Sequence, residues 1–297
     1  MTFTQTRPAQ SGLAKTSANK RRLLGENAFQ LALILLLGVG LLVLGILLYT
    51  VGSRGAGRLS ADFLNGAPSR SASRAGIKPA LLGSLWLLGL TIAIALPISI
   101  GAAIWLEEMA PRNWISRAIE VNVTNLAGVP SIVYGLLAAG LFAGILGLGD
   151  SLWTGALALS MLVFPVIVVA ARESIRAVPS SIRQGAYALG ATRWQVTRRS
   201  VLPPAVGGIV TGVVLALSRA IGEAAPLLLI AVPGVFVVPN GPGAKFTALP
   251  IQIFNWTSRP QAAFQVNAAA GIIVLLGVVL VVNAIAVVIR NRSQVRW

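Results

Sequence analysis

Neither cysteine nor histidine occurs anywhere in the 297 residues. Without thiols there are no disulfides and no thiolate nucleophiles, and without imidazole the commonest general base and transition-metal ligand is missing. Charge is scarce too, at 11% of the chain, which is too little to coat a soluble globule of this size. Acidic residues are the scarcest, eight Asp and Glu against 24 Lys and Arg, for a formal net charge of +16. An excess of that size is compatible with nucleic-acid binding, where the basic residues gather in one patch or stripe. Here they fall mainly between long apolar runs, which argues against a nucleic-acid partner and matches loops that flank a lipid bilayer.

What fills the chain is hydrocarbon: 56% of residues are hydrophobic and the mean hydropathy is +0.80. A helix crossing about 30 Å of bilayer core needs about 20 apolar residues. Six segments qualify, near 28–51, 80–106, 121–147, 152–172, 205–232 and 267–290, which predicts an all-α polytopic membrane protein with six transmembrane helices. The first run is too long for a signal-peptide core and lacks a small-residue cleavage site, so it is read as a retained span. Residues 1–26, polar and basic, are expected to form a disordered cytoplasmic arm, residues 27–292 one transmembrane domain, and residues 293–297 a short tail. With the N-terminus inside, sixteen basic residues fall on the cytoplasmic side and seven outside, so both termini are expected in the cytoplasm and the chain in the cytoplasmic (inner) membrane. The first outer loop, 52–79, is itself basic, and serves either to attract an anion or simply as a solvated loop. Pro97, Pro130, Pro165 and Pro226 fall within spans, where each removes a helical hydrogen bond and invites a kink or a break.

The most informative stretch is the loop 173–204, long for a connection and neither Gly/Ser-rich nor poor in apolar residues, so it is expected to be folded. Pro179 with Ser180 or Ser181 starts a helix, Gly190 ends it in a left-handed turn, and a second short helix from near Thr192 runs to Leu202, before Pro203. Its residues Gln184-Gly185-Ala186, three residues, Gly190, nine residues, then Ser200-Val201-Leu202-Pro203 follow the spacing of the EAA loop. The loop thereby resembles that of bacterial importer permeases of the ATP-binding-cassette class, with Gln for Glu, Gly for the first Ala and Ser for Ile. The resemblance implies the type I importer permease fold and a coupling helix seated in a groove of a separate ATPase subunit. Gln184, Gly185, Ala186, Tyr187, Leu189, Gly190, Ala191 and Arg193 would make that contact: small side chains for close approach, Tyr187 and Leu189 as apolar knobs, Arg193 for an acidic rim. Lying on anionic lipid is the competing use of so basic a helix.

Three further stretches, Asn125-Leu-Ala-Gly-Val-Pro-Ser-Ile-Val-Tyr-Gly135, Ser218-Arg-Ala-Ile-Gly-Glu-Ala-Ala-Pro-Leu-Leu228 and Leu249-Pro-Ile-Gln-Ile-Phe-Asn-Trp256, are similar to phosphate importer permeases of the PstA type. That similarity implies inorganic phosphate as cargo. It also implies a heterodimer with a PstC-like permease, a dimer of ATP-binding subunits and an extracytoplasmic phosphate-binding protein. No cofactor is expected in this chain: it has no Gly-x4-Gly-Lys-Ser/Thr loop, so ATP and Mg²⁺ belong to the ATPase partner. Physically, Arg219 and Glu223 lie four residues apart in the fifth predicted span, on one helix face. Arg219 has the planar fork that phosphate oxygens match, and Glu223 balances it; a permanent bridge orienting helices is the other use of such a pair. Asn122, Thr124, Asn125 and Ser131 flank Pro130 and line a path or hold helices together. Glu107 and Glu108, after the second span, meet basic groups of neighbouring subunits or stay solvated. Sulfate or molybdate transport, or an ATPase-independent channel or scaffold, are the alternatives.

Overall fold

The computed structural model describes residues 17–232, 235 and 237–293, and every regular element among them is helical. The chain divides into two units, Met1–Thr50 and Val51–Trp297. In the first, helix α1 (Ser17–Gly55) exposes every residue from 26 to 49, including a run of Leu, Ile and Val on all sides. A helix apolar all round is a membrane span. It begins inside the segment expected as a structureless arm, because Ser17 to Gly25 contains no proline and continues directly into the apolar run. Residues 1–16 of that arm, and 294–297 of the expected tail, lie outside the described residues.

The second unit starts with a structured connection. Helix α2 (Ala61–Asn65) is capped by Ser60, whose hydroxyl accepts from the Phe63 amide at 3.2 Å. Arg58 donates to Ser73 O at 2.8 Å, Ala75 O at 3.0 Å and Asn267 Oδ1 at 2.9 Å, and its guanidinium sits 5.1 Å from the Phe63 ring centre. This arginine of the loop expected outside is therefore a staple, its Nε and Nη2 donors spent on the protein itself.

Helix α3 (Lys78–Ile104) widens into a π-turn over Trp105–Met109, and α4 (Trp114–Leu126) follows. Next come α5 (Ser131–Leu137), itself widening over Ala138–Ile145, and α6 (Leu152–Arg176). Helices α7 (Ser180–Ala188) and α8 (Arg193–Val196) form the elbow before α9 (Leu202–Gly222). The short α10 (Leu249–Thr257) and the long α11 (Ala262–Ser293) complete the chain. The core is built around α6, whose buried residues Leu152, Ala156, Leu159, Val163, Ile167, Ala171 and Ile175 recur every three or four positions and pack on α3 and α9. Facing them are Ala95 and Ala103 of α3 and Ala205, Ala216 and Ala220 of α9. Lipid is as apolar as leucine, so what holds such helices together is close van der Waals contact, and alanine seams allow it.

Five helices among the described residues are long and apolar enough to cross a membrane, and α4 with α5 makes a sixth crossing if the bent pair is counted as one. Two predicted spans are corrected. The third is not a continuous helix, because α4 and α5 meet at 107°. Pro130 caps α5 with extended backbone (φ −57, ψ 134) and the Tyr134 hydroxyl donates to Leu126 O at 2.7 Å, satisfying a carbonyl freed by the break. The fifth ends at Gly222, not at residue 232. Apolar sequence runs on past it because Leu227, Ile230 and Ala231 are buried in the protein against Phe246, and burial in protein reads in a sequence like burial in lipid. Gly135 is what lets α5 approach this turn: a Cβ there would lie 2.6 Å from the Pro226 carbonyl oxygen. The predicted hydrophilic break 233–266 also holds a buried helix, α10, tied to α3 where Ser84 Oγ accepts from Leu249 N at 2.8 Å.

Candidate functional site

The elbow is defined by its caps. Helix α7 ends in a paired turn: Gly190 N donates to Tyr187 O at 2.9 Å and Ala191 N to Ala186 O at 3.2 Å, with Gly190 at φ +80. This double bond pattern needs a left-handed residue after the cap, which glycine supplies without steric cost. Two residues on, Thr192 and Gln195 exchange hydrogen bonds in a capping box that starts α8. The second helix does not stop before Pro203. A π-turn over Thr197–Val201 leads straight into α9, where Pro203 and Pro204 sit in the first turn and have no amide to leave unpaired.

One face of the elbow turns inward. Ile182, Ala186 and Ala191 pack on the cluster of Ile175, Val178, Val196 and Val201. The other face carries Gln184, Gly185, Tyr187, Leu189, Gly190, Arg193 and Trp194, all exposed, with Leu189 91% accessible. Ala186 and Ala191, expected among the contacts to an ATPase, are half-buried and pack on the bundle, five residues apart.

The Arg219–Glu223 pair is looser than a helix-face bridge. Arg219 is in the last turn of α9, Glu223 is the first extended residue after it (φ −80, ψ 114), and the two approach to 4.0 Å with side chains 59% and 20% exposed. Pro226, which lacks an amide, lies only three residues on and the chain has already left the helix. A cation in the last turn also faces the negative end of the helix dipole, which lowers the cost of placing it there. Near the α4–α5 break, Asn122 and Thr124 return their side chains to the carbonyls of Ala118 (2.8 Å) and Glu120 (3.0 Å). Asn125 is exposed and Ser131 half-buried. No hydrogen bond among the described residues joins either of them to Arg219 or Glu223; the link is mechanical, through α5 packed on Pro226.

A second charged group joins the ends of α3 and α6 to the middle of α4 and the first turn of α7. Arg172, its side chain 9% exposed, reaches Glu120 Oε1 at 2.8 Å and Glu107 Oε2 at 3.4 Å. Arg176 binds Glu107 at 3.1 Å and Glu173 at 3.1 Å, and Arg183 binds the buried Glu108 at 2.8 Å. Glu107 and Glu108 are thus engaged within this chain rather than solvated or left for neighbouring subunits.

The family model for binding-protein-dependent transport system inner membrane components matches residues 95–295, about two thirds of the chain, and covers the break, the elbow and both charged groups. The chain belongs to that family. Among relatives of this inner membrane component, the probable ABC transporter permease YqgI of Bacillus subtilis is 33% identical over 65% of this chain and 65% of its own length. The phosphate transport system permease PstA of Xylella fastidiosa is 32% identical over 92% of this chain and 95% of its own. PstA 1 of Mycobacterium tuberculosis is 34% identical over 72% and 70%. Among solved structures, a bacterial alginate ABC transporter in complex with a pentasaccharide-bound periplasmic protein aligns over 94% of this chain and 98% of the matched one, with a TM-score of 0.67 at 17% identity. The MetNI methionine ABC transporter aligns over 72% and 95%, with a TM-score of 0.58 at 18% identity. The described residues are accordingly those of a helical, multi-pass membrane component of the binding-protein-dependent transport family, with the fold of ABC transporter permeases.

In this permease the residues expected to meet an ATPase lie on α7, its cap and the start of α8, and those expected along a path stand on α4, α5 and the end of α9. The ionic group at the helix ends was overlooked at the level of sequence. A usable signal was present: of only eight acidic residues, Glu107, Glu108, Glu120 and Glu173 lie at the ends of runs that Arg172, Arg176 and Arg183 also border.

Proposed function

We propose that this permease translocates inorganic phosphate across the cytoplasmic membrane, driven by ATP hydrolysis on a separate pair of subunits. The observation that carries the coupling half of this reading is the exposed face of α7. A helix cut off sharply by Gly190, with Tyr187 and Leu189 projecting, is a knob with no place in the chain's own core. Exposed Tyr187, Leu189 and Trp194 fit an apolar protein groove, and Arg193 an acidic rim. The elbow then lies in the cytoplasm, as do both termini, in keeping with the sixteen basic residues on that side.

The phosphate half is supported by relatives that are named phosphate transport permeases and by Arg219, whose guanidinium is only loosely held and keeps donors for an oxyanion. Glu223 balances the charge between transport events. The complex would pair this chain with a PstC-like permease, a dimer of ATP-binding subunits holding ATP and Mg²⁺, and an extracytoplasmic phosphate-binding protein. Reconstituted into liposomes with those partners, the complex should hydrolyse ATP faster with external phosphate and not with equal sulfate or molybdate. Equal stimulation by sulfate would replace phosphate with a broader oxyanion, and failure to copurify with any nucleotide-binding subunit would remove the coupling role.

A further inference from the structure

Among the described residues, the directional bonds that tie α7 to the bundle come from one side chain. Arg183, on α7, uses all three guanidinium nitrogens: Nε and Nη2 donate to Glu108 Oε1 at 3.1 and 2.8 Å, Nη2 also to Ile175 O at 2.8 Å, and Nη1 to Val178 O at 2.6 Å. Glu108 stands on the π-turn that ends the α3 crossing, and its side chain is 6% exposed. Ile175 belongs to the last turn of α6, and Val178 follows it directly. A single residue therefore fastens α7 both to the end of the preceding α6 and, across 75 residues of sequence, to the end of α3, bonding carbonyls at the end of α6 while pairing a buried carboxylate. The apolar contacts of Ile182 and Ala186 permit α7 to slide against the cluster beneath it, since van der Waals contact is not directional. The fork of Arg183 does not, because its donors must meet three acceptors in fixed directions.

We propose that Arg183 and Glu108 form a clamp that makes α7 move as one body with the ends of α3 and α6, so that displacement of the elbow becomes displacement of membrane helices. Arg183 is a positioning residue, not one that touches cargo or ATPase: its guanidinium points into the chain while Tyr187 and Leu189 point out. The inference rests on the coupling role proposed for α7. Its physical content is a choice between two responses to a push on the elbow. With the clamp intact, α7 cannot shift without carrying the neighbouring helix ends or leaving Glu108 buried and unpaired, which is strongly unfavourable. Without it, α7 rotates in place, and motion of the ATPase is spent at the elbow. The neighbouring Arg172 and Arg176 bridges fasten α3, α4 and α6 to one another whether or not Arg183 engages them.

The test is made on the full complex in liposomes, reading phosphate uptake and ATP hydrolysis per assembled complex. Glu108→Gln and Arg183→Lys should each lower the number of phosphates carried per ATP by about tenfold while ATPase activity persists, with Arg183→Ala lower still. A residue serving stability alone would reduce the amount of assembled complex and leave that ratio untouched. An unchanged ratio in Glu108→Gln and Arg183→Lys overturns the clamp, whether or not Arg183→Ala assembles. Because the chain has no cysteine, Leu189→Cys supplies a unique thiol for a benzophenone maleimide. Photocrosslinking from it to the ATPase subunit, in a background otherwise unchanged, keeps the two ideas apart. A crosslink together with an unchanged ratio sinks the clamp and leaves α7 as the docking helix; absence of any crosslink to the ATPase removes the docking role and the clamp with it.

Discussion

Two groups of charge stand apart in the bundle, one around the C-terminal end of α6, where Ser174 packs on Gly208 of α9, and one at the C-terminal end of α9 itself. At one end, Arg172, Arg176 and Arg183 share four carboxylates at 2.8 to 3.4 Å, and Arg183 adds two backbone carbonyls. At the other, Arg219 meets one carboxylate at 4.0 Å and more than half of its side chain is open. The chemistry is the same and the saturation is not. Buried charge repays its desolvation only when its donors are used, so the saturated group has the character of architecture. A cation left with unused donors has the character of a site, because an incoming oxyanion finds them available. On the function proposed above, the comparison separates what holds the permease together from what would meet cargo, and it can be broken at either end.

The largest effect is expected at the loose end. Arg219→Gln removes a charged donor worth about 1.5–3 kcal/mol in a charge-assisted hydrogen bond, so phosphate uptake should fall roughly ten- to a hundredfold while the quantity of assembled complex stays the same. Arg219→Lys keeps the charge without the fork and should fall between the two. If Arg219→Gln instead reduced assembly and left uptake per complex intact, the pair would be architecture after all. At the saturated end the sign of the readout reverses. Arg172→Met should leave uptake per assembled complex near normal but lower the thermal stability of the complex in detergent, on the order of 3 kcal/mol. That is the low end for breaking a buried pair, because Glu120 is nearly half exposed and Glu107 keeps Arg176.

Most of the fold could be read from the sequence because lipid imposes a simple rule: long apolar runs, with charge between them. The rule failed where protein, not lipid, does the burying. Leu227 and Ile230 are as apolar as any lipid-facing residue, yet they belong to a turn after α9, and α10 is buried although it lies in a stretch polar enough to read as a loop. Pro130 marked the α4–α5 break but could not give its 107° angle, which depends on Tyr134 reaching Leu126 and on α5 closing against Pro226. The caps of the elbow at Gly190 and Thr192 were legible, since caps are local chemistry, whereas the run of its second helix through a π-turn into α9 was not. The ionic group was not, because a partner 52 to 75 residues away is set by packing rather than by spacing.

The smallest effect lies inside the saturated group and tests whether burial, rather than the count of bridges, is what matters there. Arg176 makes as many ion pairs as Arg172, to Glu107 and Glu173, but its side chain is 51% exposed against 9%. Its charges are solvated before and after the bridges form, and half of its interaction is an i, i+3 pair on the surface of α6. Arg176→Gln should therefore cost less than about 1 kcal/mol, and added salt should shrink even that difference, while the Arg172→Met loss resists salt. Thermal unfolding of the two variants at low and high ionic strength measures both quantities. Equal, salt-insensitive losses would mean that the assembled complex buries Arg176 as deeply as Arg172, and would place an undescribed contact of the partner subunits on the outer face of this cluster.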